Sequence, residues 1–272
     1  MSGAELGWQK CSLKKANPSN LNSVCQSFLA LDESSPYWQQ IFTDKSQESS
    51  KLKKLLQQSL TLHKTTLPAN FYPKAIVLVE GTTEQILLPY FACHSGIDLL
   101  SKGIIVVSAG GAKKIIRKYL AWKDAINLPI FCLFDRDAQY LAQVISANLR
   151  ESDYVYVLSD GEIEDLMPLE FLIKKLNQFF SADPLYDRTK PILPADFSND
   201  KRRTVVLEKI WREKELGKFE KVKFAQFIAD QPLTHDCQAN FISDDGKHML
   251  DILIKIIDQT SSNKNRTKYE ST

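Results

Sequence analysis

The sequence predicts an α/β fold in which a parallel sheet is flanked by helices, with helical additions at both ends. From residue 73 onwards, the short apolar runs AIVLVE, GIIVVSAGG, PIFCLFD and DYVYVL alternate with stretches of helical spacing such as AKKIIRKYLAWKDAI. This alternation is typical of βαβ units, whose strands run parallel. The runs are continuously apolar, as expected for strands that are buried on both faces of a sheet.

The pattern divides the chain into four segments. Residues 1–72 predict a helical N-terminal extension that includes KLKKLLQQSLTLHKTTL, an amphipathic helix from Lys51. Residues 73–180 hold the alternating core. Residues 181–258 begin with a proline-containing polar loop and continue with the helical stretches TVVLEKIWREKEL, KVKFAQFIAD and KHMLDILIKIID. Residues 259–272 are polar and predict a disordered tail.

Composition narrows the class of protein and its compartment. A hydrophobic content of 43% and a charged content of 25% are typical of a globular protein. The net charge of +2 is too small to indicate nucleic-acid binding by itself, so any basic footprint must be local. No cysteines have C-x-x-C spacing, which argues against a zinc ribbon, and Cys132 within an apolar run favours reduced thiols. With no apolar run of about 18–20 residues and no signal-peptide pattern, we expect a cytoplasmic protein without membrane contact.

Acidic residues follow three of the four predicted strands. They are Glu80 and Glu84 after the first strand, Asp135 and Asp137 after the third, and Glu162, Glu164 and Asp165 after the fourth. The second strand instead runs into the pair Gly110 and Gly111. Ligands of open parallel sheets collect beyond the carboxyl ends of the strands, so these carboxylates are expected to converge there. Two carboxylates about 4 Å apart repel by roughly 4 kcal/mol near a protein surface, and a hard cation would offset that cost.

Each feature also has a purely structural interpretation. Asp135 suits a turn at a strand end, and Glu84 complements the positive N-terminus of a helix. The glycine pair suits a tight turn, and the acids of residues 162–165 suit a solvated helix start. The conjunction of acids at one edge of the sheet nevertheless favours a site for one or two Mg²⁺ or Mn²⁺ ions.

The motifs VLVEGTTEQILLP, VSAGGAKK and FDRDA resemble the TOPRIM domain, a Rossmann-like parallel sheet shared by topoisomerases, bacterial primases, recombination proteins and OLD-family nucleases. The glutamate after the first strand and the D-x-D after the third are the signature of that domain. The second acid four residues after the first, together with EIEDLMP and EKVKFAQFIAD, most resembles the OLD family. The resemblance implies a Mg²⁺- or Mn²⁺-dependent endonuclease that hydrolyses phosphodiester bonds.

The resemblance also implies roles for particular residues. The implied metal ligands are Glu80, Glu84, Asp135, Asp137, Glu162 and Glu164. The implied catalytic residues are Glu80, Asp135, Asp137 and Lys221. Two ions would activate a water and stabilise the leaving oxygen, and the lysine would offset charge that develops on the phosphate. Lys223 is the alternative for this lysine, and a solvated helix lysine is the structural alternative.

A run of lysines and arginines lies between Arg188 and Lys223. We expect this segment to contact phosphates beside the acidic site, because a cluster of acids repels nucleic acid unless nearby cations compensate. The candidate nucleic-acid-binding residues are Lys201, Arg202, Arg203 and Lys223. The alternative is that the run is only a solvated face.

OLD proteins commonly carry an ABC-type ATPase domain, but this sequence contains no G-x-x-x-x-G-K-[ST] motif. The resemblance therefore implies a stand-alone TOPRIM effector of an antiviral, anti-phage defence system that a separate ABC-type ATPase subunit controls. The sequence leaves open whether the substrate is DNA or RNA, including tRNA, and whether the chain forms a homodimer. A non-catalytic module that binds nucleic acid or a partner is a further alternative, and a D-x-D glycosyltransferase is disfavoured because it does not need the additional acids.

Overall fold

Four parallel strands form one sheet in a computed structural model of the chain. The described residues are 41–42, 47–62, 73–159, 161–181, 191–197, 202–215, 218–231 and 241–269. The strands are β1 (Ala75–Val79), β2 (Ile104–Ser108), β3 (Ile130–Phe134) and β4 (Tyr154–Val157), in the order β2-β1-β3-β4. The predicted α/β class with a parallel sheet is confirmed. Much of the predicted extension over residues 1–72 lies outside the described part of the chain.

Helices cover both faces of the sheet. They are α1 (Gln47–Leu62), α2 (Thr82–His94), α3 (Ala112–Trp122), α4 (Gln139–Ser146), α5 (Leu169–Phe180), α6 (Arg203–Glu213), α7 (Lys221–Ala229) and α8 (Asp244–Tyr269). One face packs against α1, α3 and α4, and the other packs against α2 and α5 to α8. Every residue of β1 and β3 is buried, which explains why these runs are continuously apolar. None of the described helices has the length and apolar character needed to cross a membrane.

The strand order creates a crevice at one edge of the sheet. The chain leaves β1 for β2 on one side and then returns to β3 on the other side, so the direction of winding changes at β1. The pairing register brings Val79 beside Ser108 and Phe134 beside Val157, which aligns the carboxyl ends of neighbouring strands. Ligands of such sheets bind outside the carboxyl ends at the switch point. The acids after β1 and β3 therefore lie where a ligand is expected.

Two elements differ from the sequence prediction. The first helix starts at Gln47 rather than Lys51. The last helix continues to Tyr269, into the segment for which disorder was predicted, because extending an existing helix costs far less than starting one.

A buried ion pair joins the loops at the opposite, amino edge of the sheet. The Asp153 carboxylate accepts hydrogen bonds from the Tyr119 hydroxyl at 2.9 Å, the backbone N–H of Ile130 at 2.9 Å and the Arg150 guanidinium at 2.6 and 2.8 Å. Arg150 also donates to backbone carbonyls of the α3–β3 loop. These bonds fix the start of β3 and thereby the position at which it ends, which is where the acidic site begins.

Candidate active site

The turns after β1 and β2 are joined through the backbone of Glu80. Its carbonyl accepts hydrogen bonds from the N–H groups of Gly110 at 2.8 Å and Gly111 at 2.6 Å. These glycines have φ values of +84° and +126°, a backbone conformation that other residues rarely adopt. The glycine pair is therefore more than a loose turn, because it ties the end of β2 to the first acidic residue of the site.

The two glutamates after β1 are held by backbone N–H groups. The Glu80 carboxylate accepts a hydrogen bond from the N–H of Asp135 at 3.1 Å, which links the ends of β1 and β3. The Glu84 carboxylate accepts from the N–H of Gly81 at 2.8 Å, at the start of α2. This contact caps the start of α2, in addition to the favourable position at the helix N-terminus that the sequence suggested for Glu84. Glu84 is also only 9% exposed, so its charge is buried beside the site rather than solvated.

The two aspartates after β3 lie in different environments. Asp135 is largely buried and faces the other acids, whose repulsion acts on its carboxyl group. Asp137 lies in the following 3₁₀ turn (Arg136–Ala138), is 54% exposed, and pairs with Arg202 at 2.9 Å. The D-x-D motif therefore contributes one acid to the interior of the cluster and one to its rim.

The acids after β4 are bound by the C-terminal helices. Glu162 accepts hydrogen bonds from the Thr204 hydroxyl at 2.9 Å and from the Lys221 ammonium at 2.6 Å. Glu164 is 2% exposed, and its Oε1 lies 3.7 Å from the Lys221 Nζ and has no hydrogen-bond partner among the described residues. Lys221 of α7 therefore enters the site, beside two of the acids that follow β4.

The 3₁₀ turn Ile163–Leu166 holds these acids in place and depends on Gly161 and Asp165. The Asp165 carboxylate accepts a hydrogen bond from the N–H of Glu162 at 2.8 Å. Gly161 has a φ of +104°, and a Cβ atom there would overlap the carboxylate of Asp165. Position 161 therefore requires glycine, for both backbone and steric reasons.

The cluster contains more negative charge than its surroundings offset. Burial raises the pKa of Asp135 to about 9, with repulsion from Glu84 and Glu80 as further causes. Burial likewise raises the pKa values of Glu80 and Glu164 to about 7. It also raises the pKa of Glu84. Burial acts to lower the pKa of Lys221, but Glu164 and Glu162 outweigh it, so the net shift is upwards. One lysine does not neutralise the cluster, and a divalent cation would.

The donor set fits a hard divalent cation, although the side chains do not surround a preformed site. All candidate ligands are carboxylates, which Mg²⁺ and Mn²⁺ prefer, and the buried Oε1 of Glu164 lacks a partner. Among the described residues, no three His, Cys, Asp or Glu side chains are grouped so that they could hold one ion. Lys221 and Arg202 instead contact three of the acids. An ion bound by these three acids would therefore compete with the two cations.

The candidate nucleic-acid-binding residues do not form one surface. Lys201 lies outside the described residues. Arg202 pairs with Asp137, whereas Lys223 pairs with Glu220 at 2.6 Å on α7. Arg203 is directed inwards, where it donates to the carbonyls of Glu164 and Met167. The position of Arg203 therefore differs from the phosphate-facing one that the sequence suggested, because burying the turn after β4 requires a donor for its carbonyls.

Sequence reasoning did not identify Thr204 as a site residue. Thr204 is 4% exposed and binds Glu162, yet it stands at the start of a predicted helix, where a threonine is usually taken as a cap. Nothing in its local pattern separates these two roles. Its contact with Glu162 spans 42 positions of the chain and becomes visible only in the fold.

Comparison with known proteins finds one matching family model and several similar solved structures. Residues 71–137 match the family model described as the TOPRIM domain of overcoming lysogenization defect (OLD) protein-like proteins. The chain is also similar to the solved C-terminal region of the Burkholderia pseudomallei OLD protein, with 20% identity, a TM-score of 0.49, and coverage of 70% of this chain and 100% of that one. The corresponding region of the Xanthomonas campestris pv. campestris OLD protein gives 19% identity, a TM-score of 0.40, and coverage of 71% and 99%. No curated protein matches the chain.

Replacement of Asp135 tests the charge imbalance in the site. In metal-free buffer at neutral pH, Asp135→Asn should raise the free energy of unfolding by about 1 kcal/mol, or the melting temperature by about 2–4 °C, because the carboxyl group must take up a proton on folding and the amide need not. The gain should grow as the pH rises between the ordinary pKa of 3.8 and the raised value of about 9, since the unfolded chain ionises while the folded one resists ionisation. Thermal unfolding across this pH range measures both effects.

Asp137→Asn is the matched control for that measurement. It removes an exposed carboxylate whose ion pair is worth little, so its effect should stay within about 0.5 kcal/mol. Equal stabilisation by both variants, or destabilisation by Asp135→Asn, would contradict the excess of negative charge in the cluster.

Proposed function

We propose that the chain is a metal-dependent nuclease that hydrolyses phosphodiester bonds in nucleic acid, on the basis of the match of residues 71–137 to the OLD-like TOPRIM family model. TOPRIM domains of the OLD type indicate a nuclease-type function, and TOPRIM domains generally bind divalent metal ions. The observation that most directly supports the proposal is the buried, undercompensated carboxylate cluster around Asp135 at the carboxyl edge of the sheet.

The carboxylates divide into inner and outer candidate ligands. Glu80, Glu84, Asp135 and Glu164 are the inner group, because all four have raised pKa values and interact with neighbouring acids. Asp137 and Glu162 are the outer group, and each is paired with a cation. One or two Mg²⁺ or Mn²⁺ ions held there would lower the pKa of an attacking water and offset charge on the phosphate.

Lys221 is the residue best placed to act on the phosphate. Its ammonium bridges Glu162 and Glu164, and its raised pKa keeps it protonated at neutral pH. If those carboxylates held a divalent cation, the ammonium would be available to offset charge that develops on a phosphate oxygen. Thr204 holds the other oxygen of Glu162 and limits how far that carboxylate rotates.

A cleavage assay tests the proposal. The purified chain with Mg²⁺ or Mn²⁺ should cut plasmid DNA, linear DNA or total RNA, and a chelator should stop the reaction. Asp135→Asn and Glu80→Gln should each lower the rate by at least about 100-fold, because each removes a charge at the reacting centre. Asp251→Asn, an exposed aspartate of α8, is the matched control and should cut like the wild type.

The outcome also separates the alternatives. Cleavage of RNA but not DNA would favour the RNA-processing alternative, and binding of nucleic acid without cleavage under any metal condition would favour the non-catalytic module. Full activity in Asp135→Asn would contradict a mechanism that depends on the cluster.

A comparison of two neighbouring lysines tests the role of Lys221. Lys221→Gln should lower kcat by about 100-fold or more with little change in KM, since its charge acts mainly in the transition state. Lys223→Gln is the control, because Lys223 is exposed and pairs with Glu220 outside the cluster. If kcat falls in Lys223→Gln and not in Lys221→Gln, Lys223 is the functional lysine.

The proposed setting is an antiviral defence system in which a separate ABC-type ATPase subunit controls cutting. The resemblance of the motifs to OLD proteins supports this. We expect the chain to co-purify with an ATPase from its native host and cleavage to change when ATP is added. A chain that purifies alone, cuts at full rate and ignores added ATPase would refute this setting.

A further inference from the structure

A cavity of about 400 Å³ opens beside the carboxylates, between the turn after β2 and the first turn of α4. The residues that matter in its lining are Gly110, Gly111, Lys113, Lys114, Asp137 and Tyr140. Its volume falls within the range of pockets that hold small ligands or parts of larger ones. Because Asp137 belongs to the cavity and also to the rim of the acidic site, a ligand in the cavity would reach the site directly.

The α3 wall of this cavity is positively charged. Lys113 and Lys114 are exposed, and neither forms an ion pair within the described part of the chain. The Lys114 Nζ lies 3.5 Å from the point that a Cβ atom on Gly110 would occupy, so the ammonium is folded over the glycine turn. Burial lowers the pKa of Lys118, one helical turn further, and the positive charge of Lys114 lowers it too. The wall therefore holds several like charges that an anion would stabilise.

The lysine side chains, rather than the backbone, would attract an anion to this cavity. The N–H groups of Gly110 and Gly111 both donate to the carbonyl of Glu80, so neither is free to bind an anion. The positive N-terminal end of α3 adds to the positive potential of the cavity. Two lysine ammonium groups on flexible stems match phosphate groups that repeat along a strand.

Tyr140 provides an aromatic surface at the same cavity. It lies in the first turn of α4 and is 59% exposed, and within the described residues its ring stacks on no other ring. A single exposed tyrosine is ordinary on a protein surface. Here, however, the ring lines a cavity that also holds two unpaired lysines and lies three residues from a candidate metal ligand. Cations that follow a backbone and an aromatic ring that stacks on bases are the two components of single-strand binding sites.

We propose that this cavity is a subsite for an unpaired nucleotide of the substrate strand. Lys113 and Lys114 contact two successive phosphates next to the scissile bond, and the base stacks on Tyr140. This inference rests on the proposed function and names its substrate class. A base in an intact duplex already has both faces stacked, so it could not stack on Tyr140. The substrate is therefore single-stranded or locally unpaired nucleic acid.

Binding measurements without cleavage test the subsite. Fluorescence anisotropy in the presence of a chelator compares labelled oligo-dT, oligo-U and a blunt duplex. Tyr140→Ala should weaken binding of the single strands by about 5- to 100-fold and binding of the duplex by less than about twofold. Tyr140→Phe keeps the ring and should bind like the wild type.

A charge-matched pair of double variants tests the phosphate contacts. Lys113→Gln combined with Lys114→Gln should weaken single-strand binding and reduce its salt slope by about 1.4, since each phosphate contact contributes about 0.7. Lys74→Gln combined with Lys102→Gln removes two lysines near the amino edge of the sheet, and it should leave the salt slope unchanged.

The results would separate this subsite from the proposed function. Unchanged single-strand binding in Tyr140→Ala would overturn the stacking contact, even if the chain cuts nucleic acid. Loss of binding in Tyr140→Ala combined with no cleavage by the wild type would support the subsite while the nuclease function fails. A free mononucleotide that binds as tightly as the oligonucleotides would overturn the assignment to a strand and would identify a nucleotide pocket instead.

Discussion

Repulsion among carboxylates at the carboxyl edge of the sheet is the constraint on which the site depends. Three of the acids are held against this repulsion by hydrogen-bond donors. The backbone N–H of Asp135 holds Glu80, and the N–H of Gly81 holds Glu84. Lys221 of α7 and Thr204 of α6 hold Glu162. The C-terminal helices are therefore part of the site, because without them the acids after β4 would lack their compensating partners.

The sheet makes this arrangement stable enough to persist. Strands β1 and β3 are buried along their whole length, and helices cover both faces, so the ends of the strands have little freedom to move apart. The glycine turn after β2 binds the carbonyl of Glu80, and the Arg150–Asp153 pair fixes the far end of β3. Apolar burial thus provides the free energy that offsets the cost of gathering like charges.

Charge is distributed around the site in a way that suits a phosphodiester strand. Acids occupy the centre, where a divalent ion would reverse their local effect on an anionic substrate. Lys221 and Arg202 lie on the side of the C-terminal helices, and Lys113 and Lys114 lie on the side of α3. A strand that crosses the site would meet cations before and after the reacting phosphate, and Tyr140 would lie beside one of its bases.

Local pattern determined the fold class, and with it much of the candidate site. Buried strands are read directly from continuous apolar runs, and parallel strands must end at one edge, so residues such as Glu80 and Asp135 could be assigned to one place from the sequence. Their family resemblance also directed attention to Lys221, more than 80 positions from Asp135 along the chain. The different environments of Asp135 and Asp137 could not be predicted in this way, because burial and the pairing of Asp137 with Arg202 depend on how the turn packs. The inward position of Arg203, the contact of Thr204 with Glu162 and the cavity shared by Lys114 and Tyr140 were likewise decided only by tertiary structure. A side chain's local pattern sets its chemistry and its helical face, whereas its partners come from elements distant in sequence that only packing brings together.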